Sequence, residues 1–208
     1  MSPVSRPPVS VVLFDIGGVF LHPDSAAPAS EFAASTAGVD GADVLDWYSD
    51  RLWEDYKRGF LSEEVFWSMR SRQLRGFGQF PWTDLRDRDE RRVRLDSDMV
   101  ALAGRLNPAV RRVALSNAGA ELERRLRTFR LDGLFERVVN SHRVGMAKPE
   151  PEIYRYTARL LDTPAHQILF IDDKERNTEA ARELGFRVWV HDGAARLEEE
   201  LARLGLIA

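Results

Sequence analysis

The stretch VVLFDIGGVFLHPD, residues 11–24, decides how the fold is read. Four apolar residues, Val11 to Phe14, run without interruption into one aspartate, Asp15. A strand with one wet face would alternate, so a continuous apolar run marks a strand buried on both faces. Gly17 and Gly18 then let the backbone turn tightly, and the segment leaves through Pro23. An acid at the end of a buried strand is either an ordinary turn residue or a functional group. The rest of the chain decides between the two.

Working outward, similar runs recur as RVALS (112–116), ERVVNS (136–141, the weakest), ILFID (168–172) and RVWVH (187–191). Helical patterns lie between and after them at 119–129, 150–161, 176–185 and 194–204, and Gly185 suits the end of the third. Strands alternating with helices predict a three-layer, Rossmann-like α/β core with a parallel sheet. The interval between the first two strands breaks the alternation. It reads as helices at 27–37, 41–57, 62–75 and 90–106, broken at Pro28, Gly38, Gly41, Gly59, Gly76, Gly78 and Pro81. The expected organisation is a core of 9–22 and 106–208 carrying an inserted helical subdomain over 23–105. The aromatics of that insertion (Trp47, Trp53, Phe60, Phe66, Trp67, Phe77 and Trp82) read as its own core.

With 208 residues, 44% hydrophobic and 30% charged, the chain is long and apolar enough for one sizeable globular core. A net charge of -3 offers nothing to draw it to nucleic acid or to a membrane, and no long apolar segment is present. Cysteine is absent, which excludes disulfides and thiolate metal sites. The proline-rich start MSPVSRPPVS reads as a loose tail, and a cytoplasmic location is expected. Of the 30 basic residues only Lys57, Lys148 and Lys174 are lysines. Arg51, Lys57 and Arg58 read as a solvated helix face; His142, His166 and His191, which lack metal-ligand spacing, read as surface or loop residues.

Ligands of open α/β sheets bind just beyond the carboxyl ends of the strands. There the sequence puts Asp15, then Ser116-Asn117, then Asp172-Asp173, with Lys148 in GMAKPEPEIY opening a helix after the third strand. Each alone has an ordinary explanation as a cap, a turn or a surface charge. Together they supply a carboxylate nucleophile, a hydroxyl, an ammonium and an acidic pair on one rim. That set suits phosphoryl transfer: a carboxylate attacks phosphorus, and Lys148, Ser116 and backbone N–H groups meet the phosphoryl oxygens. An anionic nucleophile approaching an anionic phosphate needs a cation between them. Magnesium fits, with Asp15 and Asp173 as ligands and Asp172 beside them. No G-x-G-x-x-G or G-x-x-x-x-G-K-[ST] pattern occurs.

FDIGGV, LSN, the lysine of KPEPEIY and IDDKERN resemble, in order and spacing, the four motifs of the haloacid dehalogenase-like superfamily; the insertion lies where that family carries its C1 cap. The resemblance implies a magnesium-dependent phosphatase acting on a small phosphorylated metabolite through an aspartyl-phosphate on Asp15. It also implies that Ser116, the backbone of Asn117, Gly18 and Lys148 hold the phosphoryl group. Lys148 would in addition orient Asp15. The metal would lie on Asp15, Asp173, Asp172 and the backbone carbonyl of Gly17, with Asn177 one contact further out.

Phosphatases of that family usually place a second aspartate two residues after the nucleophile, to protonate the leaving alcohol and activate water. Here the position is Gly17. A glycine there is similar to the FDxGG and FDxGN branch, which includes sugar-phosphate phosphatases. Loss of the acid points to an easily departing leaving group, or to a proton from water, the substrate or a residue such as His22. Three other outcomes fit the motifs: a phospho-ligand binding protein without turnover, a phosphotransferase or mutase, and a dehalogenase. The acidic pair Asp172-Asp173 argues against the last.

Overall fold

Val11–Phe14 forms a strand with all four residues fully buried. In the computed structural model, which describes residues 9–23, 50–74 and 81–207, the elements run β1 (Val11–Phe14), β2 (Leu21–Pro23), α1 (Arg51–Lys57), α2 (Glu63–Gln73), α3 (Trp82–Arg91), β3 (Val93–Leu95), α4 (Ser97–Gly104), β4 (Arg111–Ser116), α5 (Leu122–Thr128), β5 (Arg137–Asn140), α6 (Ser141–Val144), α7 (Pro151–Leu160), β6 (Ile168–Asp172), α8 (Glu175–Glu183), β7 (Arg187–Val190) and α9 (Ala194–Arg203). The tail at 1–8, the expected helix 27–37, most of 41–57, and Pro28, Gly38, Gly41, Trp47, Gly76, Phe77 and Gly78 lie outside the described residues.

Five strands make one parallel sheet in the order β5-β4-β1-β6-β7. β1 is central, which is why its sequence shows no alternation. Val12 and Phe14 pack with Met99 and Leu102 of α4, Leu126 of α5 and Leu197 and Leu201 of α9. Val11 and Leu13 face the other way, towards Ile153 and Tyr154 of α7 and Ala181 of α8. The α/β three-layer architecture follows from these two opposite apolar surfaces. The chain reverses direction across the sheet between β1 and β6, so a crevice opens at their carboxyl ends.

One expectation is corrected. Residues 90–106 are not a single helix. Val93 and Leu95 alternate with Arg92 and Arg94, a period of two, and they form β3, antiparallel to β2 with Leu21 opposite Leu95 and His22 opposite Arg94. Asp96 then starts α4 as its cap, accepting from Met99 N at 2.9 Å. Helix α3, which the sequence reading passed over, follows Pro81. Tyr56, Phe66, Trp67, Leu74 and Leu85, from α1 to α3, form a cluster of their own, whereas α4 belongs to the sheet's cluster. Phe60 departs from the reading of buried aromatics, being 69% exposed. No helix among the described residues is long and apolar enough to cross a membrane.

Candidate active site

The carboxyl ends of β1, β4 and β6 bring together Asp15, Ser116 and Asp172, all buried. Asp15 continues the ladder of β1, its N–H donating to Ile171 O at 2.8 Å. Its Oδ1 accepts from Ile16 N at 2.7 Å and lies 2.9 Å from Lys148 Nζ. Lys148, which opens the turn into α7, is 1% exposed. Its ammonium also donates to Asp172 Oδ2 at 2.7 Å and to Leu115 O at 3.0 Å. An ammonium has three N–H groups, so these three oxygens fix its position.

Asp172 is enclosed on both oxygens. Oδ2 takes Lys148, and Oδ1 accepts from Lys174 N at 2.9 Å and Asn177 Nδ2 at 2.8 Å. Asn177 is thereby tied to the centre through Asp172, and Tyr154 Oη donates to its backbone oxygen at 2.8 Å. Asp173 differs: its Oδ1 is buried without a hydrogen-bond partner. One carboxylate oxygen from each of Asp15, Asp172 and Asp173 lies within 4.8 Å of the other two. Three oxygen donors converging, one with an unsatisfied buried atom, fit a hard divalent cation rather than a soft metal.

Charges shape the titration of the centre. Burial pushes Asp15 up to about 7; Lys148 pulls against that shift, while Asp172 and Asp173 add to it. Burial also works against the charge of Lys148, but Asp15 and Asp172 outweigh it and hold the ammonium above its ordinary value. Gly18, at φ +80°, leaves room for Asp173: a Cβ there would meet Asp173 Oδ2 at 2.4 Å. A Cβ on Gly17 would meet nothing within 4 Å.

Other expected residues take definite places. Ser116 ends β4 opposite Asn140. Asn117 turns its side chain on Lys148, donating to its backbone O at 2.7 Å and accepting from its N at 2.9 Å. That clamp was not read from LSN, since a local motif carries no sign of a partner 31 residues on. His22 sits on β2 with Nε2 3.6 Å from Asp96 Oδ2. His166 is exposed, and His191 lies in the loop after β7 as expected, though buried there. It is 8% exposed, its Nδ1 has no hydrogen-bond partner, and burial holds it below its usual value. His142 turns a ring nitrogen to Tyr56 O at 2.6 Å. Lys57 and Arg58 are not a solvated face: Lys57 is 5% exposed, and Arg58 bonds Glu54 and Glu150.

A carboxylate, a lysine and an acidic pair thus meet at the switch point of a doubly wound parallel sheet, the arrangement that the resemblance of the four motifs leads one to expect. The comparisons agree. Residues 112–190 match the family model described as haloacid dehalogenase-like hydrolase. The chain is 26% identical over 203 residues to a D-ribitol-5-phosphate phosphatase of Bacteroides thetaiotaomicron, covering 91% of this chain and 95% of that protein. It is 28% identical over 186 residues to the drimenol cyclase drtB of Aspergillus calidoustus, covering 86% of this chain and 33% of that protein. The chain thus spans a third or less of the length of the first curated relatives it matches. Its fold is similar to that of a HAD family enzyme of Bacteroides thetaiotaomicron solved with magnesium and inorganic phosphate. There the TM-score is 0.75 at 20% identity, with 91% of this chain and 98% of that one covered. Over residues 112–190 the chain is thus similar to haloacid dehalogenase-like hydrolases, and its fold is that of the HAD family enzyme of Bacteroides thetaiotaomicron.

Proposed function

We propose that the protein is a phosphatase that hydrolyses a small phosphorylated metabolite in the presence of magnesium. One observation carries the reading: Lys148 sits between Asp15 and Asp172, 2.9 and 2.7 Å from their oxygens, beside the unsatisfied Oδ1 of Asp173. A lysine so held favours the ionised form of Asp15 against the burial that raises it, and it fixes Oδ1, which directs Oδ2 to the substrate phosphorus. Asp15 Oδ2 would attack phosphorus as the P–O bond to the leaving alcohol breaks, the departing oxygen taking its proton from water or from the substrate because Gly17 has none to give; water would then hydrolyse the aspartyl-phosphate, releasing inorganic phosphate and restoring Asp15. Ser116, the backbone of Asn117 and Gly18 would meet the phosphoryl oxygens, with Asn117 also fixing Lys148.

Magnesium would be held by Asp15, Asp173 and the carbonyl of Gly17; bound there, it supplies positive charge between the nucleophile and the phosphate. Asp172, whose oxygens already serve Lys148, Lys174 N and Asn177, would act on the metal by orienting these neighbours rather than by direct ligation. The helices between 51 and 91, with their separate apolar cluster, would be the working part of a cap over 23–105 that closes on the substrate. The similarity to a D-ribitol-5-phosphate phosphatase over nearly its whole length supports a sugar or polyol phosphate as substrate.

The test is phosphate release from a panel of phosphorylated metabolites and an aryl phosphate, with and without magnesium. The wild-type protein should release phosphate only with the metal, and Asp15→Asn should release none. Equal release by both proteins would refute the assignment of Asp15, and tight binding without turnover across the panel would turn the reading to a phospho-ligand binding protein.

A further inference from the structure

Lys148 owes its place to the turn that carries it, and that turn is held from two sides. Glu150 N donates to Ala147 O at 2.9 Å, and Glu150 Oε2 accepts from Ala147 N at 3.3 Å. Glu150 therefore closes the turn over Lys148 and Pro149 with both its backbone and its carboxylate. Asn117 grips the backbone of Lys148 from the end of β4. The remaining oxygen of Glu150, Oε1, accepts from Arg58 Nε at 3.1 Å and also from Arg58 Nη2. Hydrogen bonds between two charged groups are stronger than neutral ones.

Arg58 is itself held. Its Nη1 donates to Glu54 O at 2.9 Å and to the Glu54 carboxylate. The end of α1 from which it projects is seated on the core at further points. Tyr56 Oη lies between Glu121 Oε2 at 2.6 Å and Ala120 N at 3.1 Å. His142 turns a ring nitrogen to Tyr56 O, and Gly59, at φ +75°, has His142 O where a Cβ would stand. A partly exposed ion pair adds little to stability; what this one supplies is placement.

A path of contacts thus runs from α1 to the reaction centre: Arg58 to Glu150, Glu150 across the turn, and Lys148 Nζ to Asp15 Oδ1 at 2.9 Å. We infer that Arg58 is a positioning residue, which holds the turn through Glu150 so that Lys148 reaches Asp15. The seating of α1 on the core and the readiness of the nucleophile are then coupled. The effect on turnover rests on the phosphatase reading; the placement of Lys148 does not.

Lysine occurs only at 57, 148 and 174, so the state of Lys148 can be read directly. Timed acylation followed by peptide mass spectrometry compares Lys148, which is 1% exposed, with exposed Lys174 as the reference. In Arg58→Met, Lys148 should label about tenfold faster relative to Lys174, as a small shift of a positioned group can cost up to about 100-fold in rate. In magnesium, kcat for p-nitrophenyl phosphate and for a pentitol phosphate should fall together by about tenfold, with KM within about threefold of wild type. Arg58→Lys should recover part of both effects. Glu150→Ala should repeat those of Arg58→Met, and the double variant should be no worse than the worse single, because the two residues act in one chain of contacts. Unchanged labelling of Lys148, a loss confined to KM or to one substrate, or losses that add in the double variant would overturn the inference. Absence of phosphate release by wild type would refute the phosphatase reading, and the labelling would still decide whether Arg58 places Lys148.

Discussion

Replacing Gly17 by aspartate should raise turnover of poorly departing phosphate esters. The position can take it. A Cβ there meets no atom within 4 Å, and Gly17 is not among the residues at positive φ, so an L side chain fits without backbone strain. It lies two residues after Asp15, where an acid would face the same crevice. General acid–base help is worth about 10²–10⁴-fold, which is about 3–5 kcal/mol of barrier. The gain is greatest where the leaving oxygen most needs a proton. An alkyl phosphate should therefore gain about 10²-fold or more and an aryl phosphate much less. The new carboxylate adds a fourth to Asp15, Asp172 and Asp173, so it should also push Asp15 further up and move the rise of activity to higher pH. The assay is phosphate release across a series of alkyl and aryl leaving groups, with Gly17→Asn as a control of the same size without the acid. The reasoning fails if Gly17→Asp and Gly17→Asn behave alike, or if alkyl and aryl esters gain equally.

Three further outcomes follow from the same geometry. Lys148→Met leaves Asp15 and Asp172 buried without their cation; it should cost about 3–5 kcal/mol at neutral pH, read as a lower midpoint of thermal unfolding, and the deficit should shrink in acid as Asp15, raised by burial, protonates. Asp15, raised to about 7 by burial, contributes stability that is present below its unfolded value and lost as pH rises through about 7; magnesium competes with that proton, so its affinity by calorimetry should weaken about tenfold per unit below pH 7. Tyr56→Phe strips Glu121 of its donor and Ala120 N of its acceptor, and denaturant unfolding should show a loss of about 1–3 kcal/mol.

The sheet was legible because its strands are buried on both faces. A residue such as Leu13, packed against α7 and α8, leaves no choice but an apolar side chain, and the resulting runs stand out in one sequence. The ends of those strands were legible for a related reason: Asp15, Ser116 and Asp172 interrupt apolar runs, and a polar group in a buried place must have a use or a partner. What escaped reading depends on partners far along the chain. The alternation at Val93–Leu95 is only three residues long, too short to mark a strand until Leu21–Pro23 lies alongside. The backbone of Asn117 reads as a phosphate contact, but nothing local shows that its side chain holds the backbone of Lys148. Lys57 and Arg58 look like an ordinary charged face, since helical spacing cannot say which face the rest of the chain will cover. The division is physical. Local sequence records the burial of a core and the polar breaks in it; contacts across an insertion are set by packing at long range. The strand ends that carry Asp15, Ser116 and Asp172 belong to the first kind, and the grip of Asn117 on Lys148 belongs to the second, so the sequence shows which groups meet but not how they are held.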